Sequence, residues 1–296
     1  MTKRFSLATV GLLLGAAAIV AMGWGFRLNH KTLLLAGAVG FLVAWTVGLW
    51  KTNVPHLMRR ELAAYFYSPI AYVTAAVFLA LSGYFFYLII DNFREACQQG
   101  QPFHGEVMGY LLPQVAFTLM FVSPLITMRL LSEEMRSGTI EVLMTAPVTE
   151  FEVVISKFLA SLLFYGYLLA ITLVYVVVVW KVGNPDYGPI ITTYLGLIML
   201  GCMFLSVGLF VSSFTRNQIV AAVVTFVVLL LMWLIAYAGG RGGSLLKDVL
   251  DFLSLDKQYE AFAKGVVDTR HIIYCLTFTA AVLFLTVRSV EARKWR

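Results

Sequence analysis

The chain alternates long apolar runs with short polar breaks. Eight runs lie near the ~20 residues that a helix needs to cross ~30 Å of hydrocarbon. They cover 5–24, 32–50, 70–90, 111–128, 153–180, 190–211, 219–238 and 271–286. Two stretches are mixed rather than apolar. In 51–67, Met58, Leu62, Tyr65 and Phe66 share one helical side. That fits an amphipathic helix lying in the membrane interface, or a plain linker. In 244–270, Leu245, Val249, Phe252 and Leu253 recur at helical spacing, and so do Tyr259, Phe262, Ala263 and Val266. Two short helices, neither able to span, are predicted there. The expected fold is an all-α polytopic membrane protein with about eight transmembrane helices and short amphipathic helices beside them.

The polar breaks carry start and stop signals. Ser68-Pro69 reads as an N-cap followed by proline at the first helical position. The longest polar break that looks structured runs from Arg129 to Lys157. Leu131, Met135 and Val142 sit there at roughly helical intervals, which predicts one or two short amphipathic helices. Gly138 is expected to break or bend them, because glycine costs about 1 kcal/mol inside a helix. Thr139 suits the cap of a second short helix with Glu141 in its first turn, and Pro147 ends it. Thr149 and Glu152 form a T-x-x-E capping box with Val148 and Val153 at the staple positions, so a new helix starts near Glu150. Near the N-terminus, Lys3 and Arg4 precede the run 5–24. This is a signal peptide or an uncleaved helix, and its length beyond the usual 7–15-residue apolar region favours the second. Gly11 and Gly15 form a GxxxG pair on it, a candidate packing face.

Composition agrees with the pattern. The chain is 60% hydrophobic and 13% charged, with a mean hydropathy of +0.84, whereas soluble domains carry roughly 25% charged residues. The net charge of +6 bears on orientation rather than on nucleic acid. With the N-terminus inside, the cytoplasmic segments hold 13 Lys and Arg against 9 outside. This puts both termini and 129–152 in the cytoplasm and 244–270 outside.

Several chemistries are excluded. Cys97, Cys202 and Cys275 form no C-x-x-C, so neither a zinc site nor a disulfide framework is expected. No lysine follows a glycine, so the G-K-[ST] phosphate loop is missing, and the chain is not itself an ATPase or another recognisable enzyme. His30, His56, His104 and His271 are scattered, with no H-E-x-x-H. Charged residues deep in the spans are nearly absent, which disfavours ion-coupled transport. Glu133-Glu134 resembles the acidic pair of glutamate-type intramembrane proteases, but the following arginine, Arg136, is misplaced for that motif.

The run S-E-E-M-R-S-G-T-I-E-V-L-M-T-A-P-V resembles the cytoplasmic signature E-E-x-x-x-G-T-x-E-x-L-x-x-x-P of ABC-2 type transporter permeases. Three further pieces follow the family in order: R-R-E-L-A-A-Y-F-Y-S-P-I-A-Y, S-S-F-T-R-N-Q-I-V-A-A-V-V-T-F, and the segment D-F-L-S-L-D-K-Q-Y-E-A-F-A-K-G-V-V-D before the last helix. The nearest likeness is to the gliding-motility-type branch.

The resemblance implies a six-helix permease domain over 51–296, with 1–50 as a two-helix extension. It implies a multi-pass subunit of a bacterial inner membrane and a probable exporter. Its partners would be a separate ATPase carrying ATP and Mg, a second identical or related permease subunit, the lipid bilayer, and in the gliding-type branch a large extracytoplasmic auxiliary protein. No cofactor, metal or nucleic acid is implied for this chain. The resemblance makes Glu133, Glu134, Arg136, Gly138, Thr139, Glu141 and Pro147 the ATPase-coupling segment, and Arg59, Arg60 and Glu61 part of an interfacial connecting helix. The competing readings are a solvated loop, a non-transporting membrane scaffold or assembly factor of a cell-envelope machine, and the protease.

Overall fold

A computed structural model describes residues 52–98, 107–139, 148–182, 187–238 and 254–293, apart from Lys264 and Val267. Most of these residues are helical, with no strand among them. The elements are α1 (Val54–Tyr67), α2 (Pro69–Gln98), α3 (Val107–Thr127), α4 (Ser132–Ser137), α5 (Glu150–Val182), α6 (Tyr187–Ser212), α7 (Gln218–Ala238), α8 (Leu255–Ala263) and α9 (Thr269–Arg293). The chain divides between Arg59 and Arg60 into two units, and the site described below lies wholly in the second.

Six of these helices, α2, α3, α5, α6, α7 and α9, are long and apolar enough to cross a membrane. The protein is an all-α polytopic membrane protein. The six match the last six predicted spans, while the first two lie outside the described residues. The start signals act as expected. Ile70 N–H donates to Ser68 Oγ at 3.3 Å, which caps α2 ahead of Pro69. Of the two short helices predicted in 244–270, the second is α8, and the first lies outside the described residues.

Helix α6 is the hub, packing against α3, α5, α7, α8 and α9. It and α3 are largely buried, whereas α2, α5, α7 and α9 turn much of their apolar surface outward. Val73, Val77 and Leu81 on α2 and Val223, Val227 and Leu231 on α7 are examples. Exposed apolar faces this extensive mark membrane contact. Inside, small residues allow close approach. A Cβ at Gly201 would run into the Tyr165 ring on α5, one at Gly208 into Thr127 on α3, and one at Gly196 into Phe262 on α8. Buried hydroxyls bond back to their own helix. Ser123 donates to Met120 O, Thr127 to Ser123 O, Ser161 to Phe158 O and Ser206 to Met203 O. Each thereby avoids the cost of an unpaired polar group in an apolar setting.

Cross-links define the two ends of the bundle. At one end, Leu131 N–H donates to Ser212 Oγ at 3.2 Å, Ser213 Oγ to Ser289 Oγ at 2.9 Å, and Arg293 to Ser213 O at 2.9 Å. The base of the signature, the α6–α7 turn and the end of α9 therefore meet there. At the other end, the hydroxyls of Thr192 and Thr193 lie 3.1 and 3.3 Å from Phe262 O, each with a shorter contact, 2.9 and 2.6 Å, to Pro189 O of its own helix. Gly265, with φ 79°, turns the chain against Pro189. Helix α8 thus sits on the first turns of α6.

Candidate functional site

The signature segment grows directly out of α3. Met128 N–H still donates to Pro124 O at 2.9 Å, and Leu130 N–H to Thr127 O at 3.1 Å, so a tight turn replaces a loop. Helix α4 follows, with Glu133 and Glu134 in its first turn, where the positive end of the helix dipole favours acids. Leu131 and Met135 are buried and hold it down. Ser132 Oγ donates to Met128 O, and Ser137 Oγ to Glu133 O at 2.9 Å. Helix α4 stops at Gly138, which takes the left-handed conformation with φ 73°. That is the glycine C-cap, open to a residue without Cβ and strained for others. Ser137 and Thr139 share a hydroxyl hydrogen bond of 2.8 Å. Glu141, Pro147 and the second short helix lie outside the described residues. The capping box forms as spelled: Glu152 N–H donates to Thr149 Oγ1 at 3.2 Å, and Thr149 N–H to Glu152 Oε2 at 2.9 Å. Helix α5 begins at Glu150.

Three charged side chains meet under this segment. Lys157, on the second turn of α5, is only 2% exposed. Its Nζ donates to Glu134 Oε1 at 2.7 Å and to Glu61 Oε2 at 3.0 Å. One buried ammonium therefore joins α5 to α1 and to α4. The periphery is paired as well. Arg60 reaches Glu61 at 2.9 Å, and Arg129 reaches Glu133 at 3.1 Å. Glu134 Oε2 is buried and finds no hydrogen-bond partner among the described residues. A buried ion pair is costly to desolvate and holds only while every partner stays in place.

The last turns of α1 are fixed by aromatic contacts. The Tyr65 ring stacks on Phe164 at 5.1 Å between centroids, and its hydroxyl donates to Ile126 O at 2.8 Å. Phe66 sits edge-on to both Phe164 and Tyr167. Part of the apolar side predicted for an interfacial helix thus lies against α5. A cavity of about 270 Å³ opens between these elements, lined by Glu61, Ala64, Tyr65, Arg129, Leu130, Glu133, Glu134, Ser137, Thr139 and Lys157. Burial by itself would push the Glu61 carboxyl up, but the charges of Lys157 and Arg60 outweigh it and hold it below the ordinary carboxylate value. Burial pushes the Tyr65 phenol well up, so it serves as a neutral donor.

The sequence-predicted residues divide accordingly. Glu61, Glu133, Glu134 and Thr139 line one cavity. Arg60 props Glu61. Arg59, Arg136 and Gly138 are exposed. Glu134 turns inward to Lys157, whereas its neighbour Glu133 is exposed. Lys157, Tyr65 and Arg129 join the site beyond the residues that the resemblance implies. A signal for Lys157 was present: a lone lysine inside an apolar run marks a functional site with a partner.

The model of the family described as ABC-2 family transporter protein matches residues 57–287. The chain belongs to that family. The matched stretch takes in α2 through α8 and most of α9, and with them all six described spans. It also contains the three-way contact of Glu61, Glu134 and Lys157. An ABC-2 permease is a membrane subunit, and this one is a multi-pass example. Among curated protein sequences none matches it significantly.

Proposed function

We propose that this chain is the transmembrane subunit of an ABC exporter, driven by ATP hydrolysis on a separate ATPase that docks against residues 129–152. The observation that carries the reading is the form of α4. Its inner side is anchored by Leu131, Met135 and Glu134, while Glu133 in its first turn and Arg136, Ser137, Gly138 and Thr139 at its far end stand exposed. Ordinary solvated loops have no such anchorage. In this reading the signature end is cytoplasmic, as are both termini, in a bacterial inner membrane. ATP and Mg belong to the partner. Two permease subunits, identical or related, form one pathway, and α8 caps its outer end. In this reading the chain is of the gliding-motility-type branch that its sequence resembles, with an extracytoplasmic auxiliary protein as a further partner.

The test is copurification. Glu133→Ala, Glu141→Ala and Gly138→Val should each reduce the amount of ATPase retained by the folded permease, or uncouple its ATP turnover. The backbone argument is strongest for valine, because a β-branched side chain strains a positive φ. Normal retention and turnover in all three variants would defeat the docking assignment.

A further inference from the structure

We infer that Lys157 is a positioning residue that fastens α1 and α4 to α5, so that the signature segment and the connecting helix move as one body. This rests on the transporter reading for its use, not for its geometry. The argument begins with what holds α4. It has six residues, too few to stand alone, since isolated helices shorter than about 12–15 residues are marginal in water. Its apolar anchors, Leu131 and Met135, hold one side. On the side facing α1, the polar link that the structure shows is Glu134 Oε1 to Lys157 Nζ. The same ammonium takes Glu61 from a helix 96 residues earlier in sequence. No direct hydrogen bond joins Glu61 to Glu134. The cation lies between two carboxylates that would repel without it.

Consequently, displacement of α4 by a docked partner drags Lys157, and with it the start of α5 and the end of α1. The two glutamates are not equivalent. Glu61 keeps Arg60 on its own helix, and the end of α1 keeps Tyr65 stacked on Phe164 and bonded to Ile126 O when Lys157 is lost. Glu134 makes its one ion pair among the described residues with Lys157, and its second oxygen is buried without a hydrogen-bond partner there. Helix α4 is therefore the arm that comes loose.

The test measures the distance between spin labels at Tyr67→Cys on α1 and Arg136→Cys on α4, both exposed positions. The full chain, with Cys97, Cys202 and Cys275 replaced, is held in lipid nanodiscs without ATPase. With Lys157 present, one narrow distance distribution is expected. In Lys157→Met that distribution is lost and a broad or two-peaked one appears. Glu134→Gln, which keeps the Lys157–Glu61 pair, should lose it too, and it serves if Lys157→Met does not fold. A narrow distribution in either folded variant overturns the inference. A second measurement uses the complex with ATPase, trapped with ATP and vanadate. The distance should stay unchanged in the parent chain and shift in Glu134→Gln, and a shift in the parent chain also overturns the inference. If no ATPase binds the unlabelled parent chain, the transporter reading fails while the first measurement still decides the role of Lys157.

Discussion

The ring of Tyr165 occupies the space that a side chain at position 201 would need, and its hydroxyl donates to Leu197 O at 2.8 Å one turn earlier on the same helix. Tyr165 is completely buried, so it has nowhere to retreat. Gly201→Ala should therefore destabilise the protein by about 1–3 kcal/mol, the range for overpacking a filled core. Gly166, on α5, has nothing within 4 Å of a built Cβ. Gly166→Ala should be neutral or should stabilise by about 0.5–1 kcal/mol through the backbone alone. Thermal unfolding in one detergent, with both variants side by side, checks the opposite signs.

A second expectation concerns the buried ions. Removing Lys157 alone leaves two carboxylates facing each other in a mostly buried place, which should cost about 3–5 kcal/mol. Replacing Glu61, Glu134 and Lys157 together with methionine removes the desolvation cost along with the attraction. That triple variant should recover much of the loss. Denaturation midpoints of the two variants, compared with the parent chain, measure the difference. Equal losses would show that volume, not charge, matters at this site.

Acid should reveal Glu61. Its carboxyl lies below the ordinary value when folded. Its charge therefore contributes stability at and above the unfolded value, and the contribution is lost as pH falls through the folded one. The groups facing it are Lys157 from α5, Glu134 from α4 and Arg60 from its own helix. The stability gap between the parent chain and Glu61→Gln should be widest near neutral pH and should close on acidification. A gap that stays constant to acid pH would remove Glu61 from the balance.

Orientation is open to labelling. Ser137 and Val266 lie at opposite ends of α6, whose 26 residues span about 39 Å at ~1.5 Å per residue. In a cysteine-free background, Ser137→Cys should react only after the membrane is permeabilised, and Val266→Cys should react with an impermeant reagent from outside. The reverse pattern would invert the topology.

Much of this was legible in the sequence because it is local. The Thr149–Glu152 box, the Ser68-Pro69 start and the Gly138 stop are decided within four residues, where capping chemistry operates. The six spans follow from length and apolarity. The charged contact was not legible in the same way. Lys157 lies within the predicted span 153–180 and was grouped with the loop beside it, and no periodicity connects it to Glu61. The inward turn of Glu134 has the same cause. Adjacent acids on a helix point about 100° apart, so one of the Glu133–Glu134 pair can face solvent while the other faces protein, and only the packing of α1 and α5 decides which. The glycines of α6 read as small residues in an apolar run, and nothing local names Tyr165, Thr127 or Phe262 as their neighbours.

The seating of Phe262 on α6 bears on how this end of the bundle can move. Thr192 and Thr193 rise from the first turns of α6 with their hydroxyls against the one carbonyl of Phe262, while the Phe262 side chain lies over Gly196. A short helix tied so closely to its neighbour is not an independent flap. It travels with α6, and α6 is wedged by Tyr165 at its middle and by Thr127 near its far end. Axial rotation would drive those side chains into the glycine backbone, so the motion left to α6 is tilt or slide with its neighbours attached. Lid and spindle are then a single part, and this end of the bundle widens only when its centre shifts.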